Sequence, residues 1–295
     1  MNNTPADARQ FLYPANANGQ TVQQRLLAEG YSKRLIVALK QTENGLCVAG
    51  SRVRSTYILK PGETLTVTLP QPAVRREVSD TAVPVLYEDA DIAVYNKPAG
   101  LVCHRSGGHF ADTLENTAEG VFRAMNRLDR DTSGALVTAK HQLAAARLWQ
   151  NIDKRYIAVA QGRVLAPHSF ITLPLARETP YEPRQVVRND GKPACTEYRV
   201  LAQNNRLTVV ECTLHTGRMH QIRAHFAAVG HPLLGDAFYG GENADLQRQA
   251  LHCANVRFNH PVTQQELCLS APLPDDLFKL LEQNGLDARR CSNSD

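Results

Sequence analysis

Apolar positions recur at helical spacing in two short runs near the N-terminus: Val22, Leu26 and Leu27, then Leu35, Ile36 and Leu39. Each run follows a capping residue. Thr21 with Gln24 makes the Thr-x-x-Gln pattern of a capping box, and Ser32 opens the second helix. Gly30 is placed to end the first helix and Gly45 to break the second. The period then changes. Leu46-Cys47-Val48 reads as a short strand, Ala49-Gly50 and Pro61-Gly62 as turns, and Leu65, Val67 and Leu69 alternate as a strand does. Residues 1–18 are polar and aperiodic, which predicts a loose leader before a small α/β module at 19–70. Residues 71–84, rich in proline and charge, predict a linker.

From Val85 onward strands outnumber helices. Ile92 to Tyr95, Leu136 to Ala139 and Lys154 to Val159 read as strands, and Cys195 to Leu201 with Leu207 to Leu214 as a strand pair. Leu143, Ala144 and Leu148 mark one helix. Val164 to Pro193 is proline-rich and predicts an irregular connection, and the segment Ser106 to Asp112 a loop. The main domain is expected over 85–285 and a polar, frayed tail over 286–295. The excess of strands over helices agrees only coarsely with an α+β class.

The composition, 43% hydrophobic and 21% charged over 295 residues, is that of an ordinary globular chain. No apolar run is long enough to span a bilayer and no secretory signal pattern opens the chain, so a cytoplasmic protein without membrane contact is expected. The seven cysteines form no CxxC pair and predict reduced, buried thiols rather than a zinc site. His215, His220 and His225 are spaced by fives, which does not set two on one helix face, so no metal is expected. No Gly-rich phosphate loop is present, and no nucleotide cofactor is expected. The net charge of +4 is small, but seven Lys and Arg against three Glu between Gly19 and Pro70 hold all of it. A basic module on a neutral body fits a polyanion partner, and equally a solvated face.

The chemistry centres on Asn126-Arg127-Leu128-Asp129-Arg130-Asp131-Thr132-Ser133-Gly134. A carboxylate among arginines stays ionised. On a loop that enters a strand it can act as nucleophile or base, with spare arginines to hold phosphates. A surface loop laced with salt bridges explains the same nine residues.

The stretch resembles the RLDxxTSG signature of the RluA-type RNA pseudouridine synthases, with Asn126 where His is usual. Asn96-Lys97-Pro98-Ala99-Gly100, completed by His104, resembles that family's NKPxGxxxH stretch. Lys154-Arg155-Tyr156-Ile157-Ala158 resembles its Lys-x-Tyr-x-Ala strand. Thr216 to His225 resembles its GRxHQIRxH motif, followed by the family-like His231 to Asp236, Tyr239-Gly240, Leu251-His252-Cys253 and Phe258-Asn259-His260-Pro261. Residues 19–70 resemble an S4-like RNA-binding module, with Lys33 and Arg34 at the head of its second helix facing phosphates.

The resemblance implies a pseudouridine-synthase fold with a mostly antiparallel mixed sheet. It implies isomerisation of uridine to pseudouridine in structured RNA, ribosomal in preference to transfer RNA, by a monomer that needs no cofactor. Asp129 becomes the essential catalytic residue. Arg223 pairs with it in a site closed to water, and Tyr156 packs on the uracil. Arg127 holds the flipped backbone or fills the gap, and Arg218, His220 and Gln221 join it as RNA-binding residues. Without the resemblance, Tyr156 reads as a core aromatic and Arg223 as a solvent-facing residue on a strand. Two other functions stay open: an RNA-binding protein that keeps the fold without the activity, and a glycoside hydrolase using Asp129 with Asp131.

Overall fold

The computed structural model describes residues 9–15, 19–70, 79, 81–105, 108–118, 120–149, 151–242 and 244–291. Its N-terminal part builds β1 (Gln10–Pro14), α1 (Val22–Ala28), α2 (Lys33–Gln41), β2 (Leu46–Val48), β3 (Ser51–Arg52) and β4 (Thr64–Thr68). Both expected caps form. Thr21 Oγ1 accepts from the Gln24 N–H while the Gln24 side chain accepts from the Thr21 N–H, and Ser32 Oγ accepts from the Leu35 N–H. Val22, Leu26, Leu35, Ile36 and Leu39 are buried in one core with Leu65 and Val67 of the sheet β1-β4-β2-β3.

β1 corrects the loose leader expected over 1–18. Phe11 and Tyr13 alternate inward, and the strand pairs antiparallel with β4. One five-residue strand with polar flanks has too few periods to stand out in sequence. The rest of that leader and most of the linker read at 71–84 lie outside the described residues.

The larger part contributes β5 (Val85–Glu88), β6 (Ile92–Lys97), α3 (Leu114–Thr117), β7 (Ser133–Ala139), α4 (Gln142–Leu148), β8 (Asp153–Gln161), β9 (His168–Ile171), β10 (Leu175–Arg177), β11 (Gln185–Val187), β12 (Thr196–Gln203), β13 (Leu207–Leu214), α5 (Gln221–Ala228), β14 (Leu251–Asn259), β15 (Glu266–Ser270) and α6 (Asp275–Gln283). One sheet runs β5-β6-β7-β14-β8-β13-β12-β9, with β15 beside β14. Every pairing in it is antiparallel except β7 with β14, so the expected α+β class with a mostly antiparallel mixed sheet holds.

Strand alternation sorts β8 onto two faces. Tyr156, Ala158 and Ala160 join a core with α4 and α5, whereas Ile157 and Val159 pack with α6. The segment expected to be irregular over 164–193 holds β9, β10 and β11, each too short and too interrupted by proline to show a period. The frayed tail expected over 286–295 is corrected as far as Cys291, and residues 292–295 lie outside the described residues. Leu286, Ala288 and Cys291 are buried in the α6 core, and Ala288–Cys291 forms a 3-10 turn.

The two parts are joined through α4. Leu143 is buried in the N-terminal core. Arg147 Nε and Nη2 donate to the Glu29 carbonyl at the end of α1 (3.0 and 2.6 Å) and Nη1 to the Pro261 carbonyl (2.8 Å). Arg9 grips Asp91 with two bonds of 2.7 and 2.9 Å.

Gly134 marks where β7 and β14 approach closely. Its φ is +113°, and a Cβ there would lie 2.2 Å from the Cys253 carbonyl oxygen. Neither strand can yield at the centre of the sheet. Gly134→Ala is therefore expected to cost at least about 2 kcal/mol. Urea midpoints for variant and wild type that coincide would remove this close approach as the reason for the glycine.

Candidate active site

The loop Arg127–Thr132 leads into β7, and its backbone is tied down from several sides. Lys97, at the end of β6, is fully buried, and its Nζ donates to the carbonyls of Pro98, Leu101 and Arg130 at 2.7–2.8 Å. Burial pulls its pKa down to about 8, so at neutral pH it stays charged with all three protons placed. Cys103 Sγ donates to the Leu128 carbonyl (3.1 Å) and accepts from the Leu128 N–H (3.4 Å). Asn126, where the family usually has His, is buried: Nδ2 donates to the Ala135 carbonyl (3.1 Å) and Oδ1 accepts from the Val137 N–H (2.8 Å). It fastens the loop to β7 and leaves the carboxylate's surroundings untouched.

Past the loop, Ser133 Oγ donates to His252 Nδ1 (2.9 Å), and His252 Nε2 donates to the Ala271 carbonyl (3.1 Å). With one nitrogen accepting and one donating, the ring is neutral. Burial lowers its pKa to about 4. The unfolded chain therefore binds one more proton than the folded chain between about pH 4 and 6.5. This contribution, roughly 3 kcal/mol, is fully present above 6.5 and lost as pH falls toward 4. A urea-midpoint series over that range should fall in wild type and flatten in His252→Gln. Parallel curves would show that His252 does not titrate this way.

The Asp129 carboxylate keeps 26% of its side-chain surface exposed, so the cleft is open rather than closed to water at this point. Arg223 Nη1 donates to Asp129 Oδ2 at 2.9 Å, the expected pair. Arg223 lies on α5, not on a strand, and it grips a second carboxylate. Nε and Nη2 donate to Asp236 Oδ2 and Oδ1 at 2.7 and 2.8 Å. Burial alone would lower its proton affinity. Asp236 first, and then Asp129, more than offset this, so its pKa is raised. Asp236 closes the family-like stretch that begins at His231, but no site role was expected of it. Its signal was an acid inside the apolar run Leu233-Leu234-Gly235-Asp236-Ala237-Phe238.

Facing the other oxygen, His220 Nε2 stands 3.8 Å from Asp129 Oδ1. His220 has a left-handed backbone with φ +51°, and its carbonyl accepts from the Ala224 N–H to begin α5. Burial lowers its pKa, keeping the ring neutral. Tyr239 supports the group from beneath, with the Arg223 guanidinium 5.0 Å over its ring. Phe238 packs edge-on against both His220 and Tyr239 and is partly exposed at the rim.

Tyr156 is buried on the same sheet face, directly opposite Cys253 in the antiparallel pairing of β8 with β14. Burial raises its pKa well above 10, so the phenol is neutral. Arg127 is exposed and makes no ion pair among the described residues, as do Lys33 and Arg34 at the start of α2. Arg218 is exposed with Nε on the Pro193 carbonyl. Gln221 is a correction. It is 2% exposed, its Oε1 accepts from Thr216 Oγ1 and the Arg218 N–H, and its Nε2 donates to Cys195 O and Thr196 Oγ1. Its amide shapes the turn before α5 and cannot reach a polymer. Asp131 is gripped fork to fork by Arg130 (3.0 and 3.1 Å), which leaves no free second carboxylate for glycoside chemistry.

One acidic cluster lies elsewhere: Asp89, Asp91 and His260 have ligand atoms within 4.8 Å of one another. Asp91 is already held by Arg9 and His141. His260 Nδ1 accepts from the Val262 and Thr263 N–H groups, so its proton sits on Nε2, facing Asp89 at 2.8 Å. The cluster is an interlocked structural knot and makes no case for a metal.

A sequence model described as RNA pseudouridylate synthase matches residues 91–228. An uncharacterized RNA pseudouridine synthase of Bacillus subtilis, YlyB, is 37% identical over 254 residues, covering 80% of this chain and 84% of that protein. Ribosomal large subunit pseudouridine synthase D of Vibrio vulnificus is 36% identical over 260 residues, 77% and 79% of the two chains. The solved structure of human RNA pseudouridylate synthase domain containing 1 superposes with a TM-score of 0.55 over 71% of this chain and 97% of that one, at 24% identity, and shares the fold. With the motifs in family order along one sheet and the Asp129 loop clamped at its centre, the chain belongs to the RluA-type RNA pseudouridine synthases.

Proposed function

We propose that this chain isomerises uridine to pseudouridine within structured ribosomal RNA, with Asp129 as the essential carboxylate. The observation that carries the reading is the geometry at Asp129: one oxygen accepts from Arg223 while the side chain keeps 26% of its surface exposed. The ribosomal substrate is supported by relatives named ribosomal large subunit pseudouridine synthase D at 35% and 36% identity. The reading makes the enzyme a cytoplasmic monomer.

The reaction breaks the N1–C1′ bond, turns the uracil and joins C5 to C1′. C5 loses its proton and N1 gains one, so the product is an isomer and no oxidant, reductant or nucleotide is consumed. A base inside structured RNA first leaves its stack, at a cost of roughly a few kcal/mol. Arg127, exposed on the loop and without an ion pair among the described residues, suits the vacated position or the flipped backbone. Asp129 then attacks the sugar or the base, or removes a sugar proton. Tyr156 presents a neutral phenol below the base, suited to packing on uracil and to a hydrogen bond near C5, and poorly suited to act as an ionised base.

RNA transcribed without pseudouridine but with tritium at uridine C5 tests this. Release of tritium to water, together with a mass-silent, carbodiimide-reactive nucleoside, is expected. RNA that binds without releasing tritium would leave a non-catalytic RNA-binding protein.

Lys33 and Arg34 supply the phosphate contacts of the N-terminal module in this reading. Removing the whole module would bare Leu143 and strip Arg147 of its partner, so charge substitution is the cleaner test. Lys33→Gln/Arg34→Gln should weaken RNA binding at every sequence and reduce the slope of log K against log salt by about 1 to 2. Equal slopes would place the RNA elsewhere.

A further inference from the structure

We propose that His220 is a positioning residue that presents its Nε2–H to Asp129 Oδ1, and that Tyr239 fixes the imidazole tautomer that makes this possible. The inference rests on Asp129 being the reacting carboxylate.

The tautomer follows from donors and acceptors. The Tyr239 hydroxyl oxygen accepts from the Gln185 N–H at 2.8 Å. Its other polar neighbour is His220 Nδ1, at 3.1 Å. Tyr239 is buried, and a buried hydroxyl proton without an acceptor is costly. The O–H therefore donates to Nδ1, and a nitrogen that accepts carries no proton. In the neutral ring the proton must then sit on Nε2, the nitrogen 3.8 Å from Asp129 Oδ1. The opposite tautomer would turn a lone pair toward the carboxylate, which repels it. At 3.8 Å the contact is longer than a hydrogen bond, a common state of catalytic contacts before substrate binds.

The backbone is arranged for the same end. His220 caps α5 and Arg223 lies in its first turn, and the side chains of both face Asp129. Arg223 takes Oδ2 and His220 faces Oδ1. The left-handed conformation of His220 is strained for a residue with a Cβ, and such strain persists where surrounding contacts impose it. The groups around the ring are Asp129, Arg223, Asp236, Tyr239 and Phe238. Only 13% of the His220 side chain is exposed, which argues against the RNA contact expected from the sequence. A neutral donor orients the carboxylate without cancelling the negative charge that the reaction needs.

The test joins kinetics to nitrogen-15 spectra of histidine-labelled protein, with the His220 signal assigned by its loss in His220→Phe. Wild type should show the Nε2–H form at His220. Tyr239→Phe, which keeps the ring under Arg223, should show a mixture of tautomers and a kcat about tenfold lower. His220→Phe should lower kcat about 10²-fold with KM for RNA within twofold. Urea midpoints accompany each variant, and the tautomer is read on wild type whether or not a variant folds. An Nδ1–H form in wild type overturns the inference. So does a His220→Phe enzyme with raised KM and intact kcat, which would make His220 an RNA contact. Absence of tritium release by wild type would instead strike the functional reading and leave the tautomer assignment standing.

Discussion

Asp129→Asn is expected to lower kcat by about 10⁴-fold or more while RNA affinity stays within a few-fold. The amide oxygen can still accept from Arg223 Nη1, so the loop should keep its place. The carbonyls of Leu128 and Arg130 on either side remain bonded to Cys103 and Lys97, which do not depend on the carboxylate. What is lost is the anionic oxygen facing the cleft. Single-turnover tritium release measures the chemical step, and filter binding measures affinity. Turnover near the wild-type rate would remove Asp129 from the mechanism.

Arg223→Met should damage both stability and activity. Its guanidinium bridges two carboxylates, and Asp236 has only 1% of its side chain exposed. Leaving that charge buried and alone costs about 3 to 5 kcal/mol. Arg223→Lys should recover part of this, since an ammonium cannot make the two-pronged contact. The double variant Arg223→Met/Asp236→Asn separates the two roles. It removes the stranded charge, so most of the stability should return while kcat stays low, because Asp129 still lacks its partner. The readouts are urea midpoints and single-turnover rates for the three variants. If the double variant is no more stable than Arg223→Met, the buried Asp236 charge is not the source of the penalty.

What could be read from sequence was whatever local chemistry decides. Thr21 with Gln24, and Ser32, sit three residues from the amides they cap, so their caps were legible. The contact between Asp129 and Arg223 was expected because the residues around each form motifs in a fixed order. Asp236 was not. Its burial depends on Gly235, whose φ is +74° and where a Cβ would meet the Arg248 carbonyl at 1.9 Å, a constraint that exists only in the folded chain. α5 was hidden for a related reason. It begins at His220 in a left-handed conformation, without an N-cap side-chain bond, and buries polar Gln221, Arg223 and His225 beside Ile222 and Phe226. A helix buried around its first turn shows no apolar stripe. Gln221 was expected as an RNA contact from its place in the family-like motif, whereas the fold directs its amide to four internal partners.

The carboxylate held by Arg223 is proposed to make pseudouridine in ribosomal RNA. Carbodiimide mapping of ribosomal RNA tests it directly, in a strain lacking this gene and complemented with wild type or with Asp129→Asn. At least one pseudouridine is expected to disappear on deletion, return with wild type and stay absent with Asp129→Asn at equal protein level. A site that returns with Asp129→Asn, or a ribosomal RNA map unchanged by the deletion, would contradict it.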